Sequence, residues 1–117
     1  MPVSTRLGAI TALQTAQAGA ANGTALDITD AVSLIIEISG TYTNMTANFE
    51  ASIDGGATWF SVSLATLAST TRARVAAATA TGLYLLENAG GLTSFRARTT
   101  VASPTGSMTV RAVSSFN

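Results

Sequence analysis

No cysteine and no histidine occur in the chain. That excludes disulfides, thiolate zinc sites, thiol nucleophiles and imidazole acid–base catalysis together, and it leaves the redox compartment unreadable. Lysine is absent as well, so the six basic residues are all arginine, and six carboxylates bring the net charge to zero. A diffuse hold on nucleic acid or on an anionic membrane needs several uncompensated positive charges, so neither is expected as a partner. Long apolar runs are missing too. Nothing reaches the length of a membrane span, and the start lacks the charged segment and continuous apolar run of a secretory signal. The glycosylation-type triplets Asn22-Gly23-Thr24 and Asn44-Met45-Thr46 are therefore read as turn residues.

Charged residues make up only 10% of the chain, whereas a soluble globular domain carries about 25%. Two explanations are open: a neutral, hydroxyl-rich exterior, or an exterior partly covered by other subunits, since interface cores are depleted in charge. The composition favours the second, with the first contributing. At 117 residues the chain forms one domain, long enough to bury roughly two-thirds of the surface that its unfolded form exposes.

What is present is a series of short alternating segments, organised around the stretch from Ser52 to Trp59. Before it, Phe49, Ala51 and Ile53 alternate with polar residues; after it, Phe60, Val62 and Leu64 do the same. Period-two patterning on both sides of Asp54-Gly55-Gly56 predicts a hairpin, with Asp54 accepting backbone N–H groups and the glycines supplying positive φ. Trp59 falls on the face opposite Phe60 and is expected to cover the turn. Ser52, Asp54, Gly55, Gly56, Thr58 and Trp59 also fit the pattern Ser-x-Asp-x-Gly-x-Thr-Trp, which resembles the Asp-box of sialidase-like proteins. In that family the motif stabilises a turn away from the active site, so the six residues are taken as a structural turn motif.

Elsewhere, residues 1–22 are rich in Ala, Thr and Gln with sparse apolar positions, and read as an N-terminal arm or edge segment ahead of a domain over residues 23–117. Alternation then places Leu26 and Ile28 inward, Leu34, Ile36 and Ile38 inward with Ile35 and Glu37 opposite, and Leu83 and Leu85 against Tyr84 and Leu86. Phe95, Ala97 and Thr99 alternate with Arg96 and Arg98, and Met108, Val110 and Ala112 with Arg111. Gly40 to Ala47 reads as a polar connection, and Ser103-Pro104-Thr105-Gly106 as a break between the last two strands. The Ala-rich run near Val75 reads as strand rather than helix. The sum is an all-β fold, an antiparallel β-sandwich or jelly roll of about eight short strands with an extended N-terminal arm.

Chemistry is sparse. Asp27, Asp30, Glu37, Glu50, Asp54 and Glu87 are the only carboxylates. Glu37 and Glu50 could face each other across neighbouring strands as an acid–base pair, and Asp27 with Asp30 could hold calcium. Both readings yield to solvated strand and turn positions. Arg96, Arg98 and Arg111 could form an outward stripe, read as a solvated face. No enzymatic activity, cofactor or metal is expected.

Asn22 to Ile28, Val32 to Tyr42, Phe49 to Trp59, Thr81 to Tyr84 and Phe95 to Arg98, taken in order, resemble the small Thr- and Ala-rich β-sandwich proteins of tailed bacteriophages, such as capsid decoration (cement) proteins, head fibres and tail accessories. The resemblance implies a virion structural protein. A cement protein on the outer surface of the capsid is preferred, a homotrimer that binds the major capsid protein and stabilises its subunit contacts. Leu7, Ile10, Leu13 and Ile35 are the candidate subunit contacts. Two alternatives remain: a carbohydrate-binding adhesion module stacking sugars on Trp59, Tyr42 or Tyr84, and a tail or neck subunit of the same fold.

Overall fold

A computed structural model describes residues 6–68 and 70–116. Residues 1–5, which open the expected arm, lie outside it. The described residues contain no helix; ten strands form a single antiparallel sheet. They are β1 (Arg6–Leu7), β2 (Thr11–Gln17), β3 (Leu26–Asp27), β4 (Ser33–Ser52), β5 (Phe60–Ser61), β6 (Leu64–Thr66), β7 (Arg74–Val75), β8 (Ala77–Ala78), β9 (Gly82–Leu86) and β10 (Ser94–Phe116).

Two of these organise the rest. β4 has 20 residues and β10 has 23, and they pair with each other from Ser52↔Ser94 to Ser33↔Ser115. Along the sequence both strands look cut in two. Gly40 to Ala47 is not a connection but the middle of β4, and the Ser103–Gly106 stretch is an irregularity inside β10 rather than a break. The shorter strands flank this ribbon. β2 and β1 lie beside the C-terminal part of β10, and β9 beside the N-terminal part of β4, followed by β6 and β7. Near the other end, β3 pairs with the start of β10, and β5 and β8 with the end of β4.

The ribbon doubles over. Ile36 pairs with Tyr84, yet the Tyr84 ring lies 5.5 Å from Phe49, which sits 13 residues further along β4. At about 3.3 Å per residue a straight strand would separate these positions by some 43 Å. Likewise Gln14, opposite Val110, donates to the carbonyl of Ala97, at 2.9 Å. One core fills the space between the two halves: Leu13, Leu34, Ile36, Ile38, Met108 and Val110 from one, Met45, Phe49, Phe95 and Ala97 from the other. This layering is compatible with the sandwich expected from the sequence.

Keeping both halves turned toward one core requires a change of phase. Even-numbered residues of β4 face inward at Leu34, Ile36 and Ile38, but odd-numbered ones at Met45, Ala47, Phe49 and Ala51. In β10 the order is reversed, from Phe95, Ala97 and Thr99 to Met108, Val110 and Ala112. Each switch region contains one non-glycine residue at positive φ, Asn44 (φ 56) and Ser103 (φ 49), and one glycine, Gly40 (φ 113) and Gly106 (φ 75), which together accommodate the slip. Beside them the two strands approach closely at two glycines, Gly40 opposite Met108 and Gly106 opposite Tyr42. A Cβ on Gly40 would strike the Ser107 carbonyl oxygen, and one on Gly106 the Thr41 carbonyl oxygen.

Candidate functional site

The hairpin motif is built as its residue types require. The Ser52 hydroxyl donates to Asp54 Oδ1 (2.5 Å) and accepts the N–H groups of Asp54 and Gly56 (3.2 and 3.0 Å), while Asp54 Oδ1 also accepts the Thr58 N–H (2.9 Å). These bonds, that from Ser52 first, pull the Asp54 carboxyl down from 3.8 to about 2. A group held this low adds stability above the ordinary carboxylate range and loses it as pH falls toward 2. An NMR titration of the Asp54 carboxyl should therefore give a midpoint near 2, and Ser52→Ala should move it up toward 3.8. An unchanged midpoint in that variant would remove the Ser52 hydroxyl as the cause.

A residue the sequence did not single out anchors this turn. Thr93 donates both its N–H and its hydroxyl to the Ser52 carbonyl (2.8 and 3.1 Å) and accepts the Gly55 N–H (2.9 Å), tying the turn to the β9–β10 connection. Trp59 covers the turn as expected, close to Gly56, and its outer side is covered in turn by the Arg96 guanidinium, 4.4 Å from the ring centroid. Ile53 and Phe60, expected to alternate inward, are instead exposed at the hairpin tip, because the core ends at Ala51.

The arginine stripe divides. Arg96 and Arg98 clamp Glu50 from the neighbouring strand, at 2.7 and 3.2 Å, while Arg111 pairs with Glu37 at 2.7 Å. Burial alone would raise the Glu50 pKa, but hydrogen bonds and charge from Arg96 and Arg98 outweigh it and hold the carboxyl below its usual value. Glu37 and Glu50 both lie on β4 with separate arginine partners, so they form no acid–base pair. Asp27 is engaged by the N–H and hydroxyl of Thr29.

The four candidate contact residues separate into two groups. Leu13 is 1% exposed and belongs to the chain's own core, so it cannot meet another subunit. Its segment is edge strand β2 rather than a free arm. Leu7 and Ile10 are 72% and 65% exposed, and Ile35 is half-buried on the outer face. Register gathers apolar neighbours around Ile35: Val113, Ile35 and Leu85 sit side by side on β10, β4 and β9, with Leu83 beyond Leu85. Ala65 of β6 lies opposite Leu85 but is itself buried, so the accessible row crosses three strands and spans about 10 Å. The Arg111–Glu37 and Arg74–Glu87 pairs flank it.

No protein-family model and no curated protein matches the chain. Two solved structures share its fold. The SPBc2 prophage-derived protein YomS superposes with a TM-score of 0.85 at 16% identity, covering 98% of this chain and 97% of that one. The PBSX exported protein XepA gives a TM-score of 0.84 at 12% identity, and the 98% of this chain that is covered corresponds to 39% of XepA. The chain thus matches YomS along nearly its whole length and spans about two-fifths of XepA. At these identities the likeness establishes the fold.

The rings named for sugar stacking are mostly engaged. Tyr84 is buried with its hydroxyl on the Ala80 carbonyl, and Trp59 lies under Arg96. Tyr42 donates to the Thr79 carbonyl but stands at the wall of an open cleft. Burial raises the hydroxyl pKa of both tyrosines, with the neighbouring Tyr84 adding to the effect at Tyr42, so both remain donors at neutral pH.

Proposed function

We propose that the chain is a structural protein of a bacteriophage particle, working as an assembled subunit rather than as an enzyme. The observation that carries this reading is the overlap of nearly the whole chain with two phage-derived folds, YomS of SPBc2 and XepA of PBSX. The charge-poor composition and the apolar row around Ile35, with Leu7, Ile10 and Leu83 exposed near it, favour burial against other subunits. Among particle roles, the preferred one is capsid decoration: a homotrimer on the outer surface of the head, adding buried area across joints between major capsid protein subunits. Such contacts are mainly apolar and hence weakly salt-dependent.

Light scattering at low and high salt tests the assembly step. A trimer that persists in high salt is expected, and Leu83→Asp, which charges the outer face without entering the core, should shift the mass to monomer. A wild-type monomer at both salt concentrations overturns the preassembled trimer.

XepA is an exported protein, which favours a second reading, a phage-encoded protein acting outside the particle. Density-gradient fractionation of a phage lysate separates the two. Co-banding with particles supports the virion role; recovery only in the particle-free fractions overturns it.

A further inference from the structure

The switch region of the ribbon holds a cleft of about 540 Å³, within the range of small-ligand sites. Tyr42, Asn44, Met45 and Thr46 of β4 line it, facing Thr100 and Val101 of β10, with Thr79 at the rim. These residues offer one aromatic ring, an amide, four hydroxyls and apolar carbon, and no charged side chain. We propose that this cleft is a binding site for a neutral saccharide.

Saccharide recognition needs an aromatic or aliphatic wall for the C–H face of the ring and neutral donors and acceptors for its hydroxyls. The cleft supplies both. Tyr42 is held in place by its 2.8 Å bond to the Thr79 carbonyl, so its ring is fixed before any ligand arrives. The Asn44 amide reaches the Ser103 carbonyl only at 3.5 Å, which leaves its donors free for a better acceptor. Among the described residues the hydroxyls of Thr46 and Thr79 have no protein partner. Asn44 at the wall, and Ser103 next to lining residue Ala102, are non-glycine residues in the left-handed region, a backbone cost of the kind that gathers at ligand sites. The absence of Arg, Asp and Glu from the lining argues against an anion or a cation as the occupant.

The site is independent of the particle reading, since it concerns a different part of the chain from the Ile35 row. The test is an amide NMR titration of the full chain with lactose, with N,N′-diacetylchitobiose and with glucose 6-phosphate. Saturable shifts confined to residues 42–46, 79 and 100–103 with at least one of the two neutral disaccharides are expected. Asn44→Gly retains a residue suited to φ 56 while removing the amide, and should weaken binding roughly tenfold with the rest of the spectrum unchanged. Thr46→Val, which keeps the side-chain shape, should weaken it in the same direction. Absence of saturable shifts with both neutral sugars, shifts elsewhere on the protein, a response to the phosphate sugar alone, or unweakened binding in both variants each overturns the proposal.

Discussion

Gly106→Ala should lower the melting temperature by at least about 10 °C, whereas Gly55→Ala should cost only about 1–2 kcal/mol. Both glycines have similar backbone angles, φ 75 and φ 73, so the strain of placing a side chain in the left-handed region is common to the two. Their surroundings differ. Around Gly55 nothing lies within 4 Å of an added Cβ, but at Gly106 the Cβ would run into the backbone carbonyl of Thr41, with Tyr42 Cα close behind. Backbone cannot swing aside as a side-chain tip can, so the clash has to be relieved by separating β4 from β10. Overpacking of this kind adds about 1–3 kcal/mol to the left-handed penalty of about 1–2 kcal/mol. The sum is a large fraction of the roughly 5–15 kcal/mol that holds an ordinary domain together. If thermal scans show the two variants melting together, the close approach of the strands is not a rigid feature of the fold.

The second large effect is expected at Phe49. Its side chain is fully buried, with the Tyr84 ring at 5.5 Å and the Phe95 ring at 6.2 Å. Tyr84 comes from the layer containing Ile36 and Phe95 from the layer containing Ala51, so Phe49 joins the two. Phe49→Ala should destabilise by about 3–5 kcal/mol, combining lost apolar transfer with a cavity that two strand-bound neighbours cannot collapse into. Phe60→Ala, at the exposed hairpin tip, removes the same atoms from water-facing positions and should fall within about 0.5 kcal/mol of the parent. Denaturant unfolding measures both. Equal midpoints would contradict the burial that distinguishes the two rings.

Much of this core is legible in the residue order, because alternation is a local signal. Leu34, Ile36 and Ile38, then Phe95 and Ala97, then Met108, Val110 and Ala112 are all buried where the period-two pattern puts them. The turn at Ser52–Thr58 is equally readable, since Ser, Asp and Gly form its hydrogen bonds within a few positions of one another. The continuity of β4 and β10 is not. Gly40, Asn44, Ser103 and Gly106 have the chemistry of a chain reversal, and a phase change in the alternation looks the same whether a strand has ended or has slipped by one residue. Only the partner strand distinguishes these cases, and that information is non-local. For the same reason the clamp on Glu50 escapes a reading along the chain, because Arg96 meets it across 46 positions. The burial of Leu13 is hidden for a related cause: an apolar residue in a polar-looking segment gives no sign of which neighbour covers it. In the cleft, Tyr42 was visible as an aromatic candidate, but its meeting with Thr79 and Thr100 depends on the bend.

The two layers of this protein are not independent modules, because each is cut from the same two strands. β4 and β10 pass through both, and their ladder runs unbroken except between Val101 and Thr105. Opening one layer therefore releases the ends of strands that the other needs, so partial unfolding gains little chain entropy while exposing the shared core. Amide hydrogens of β4 on either side of Asn44 should exchange with a common opening free energy, as one cooperative unit rather than two.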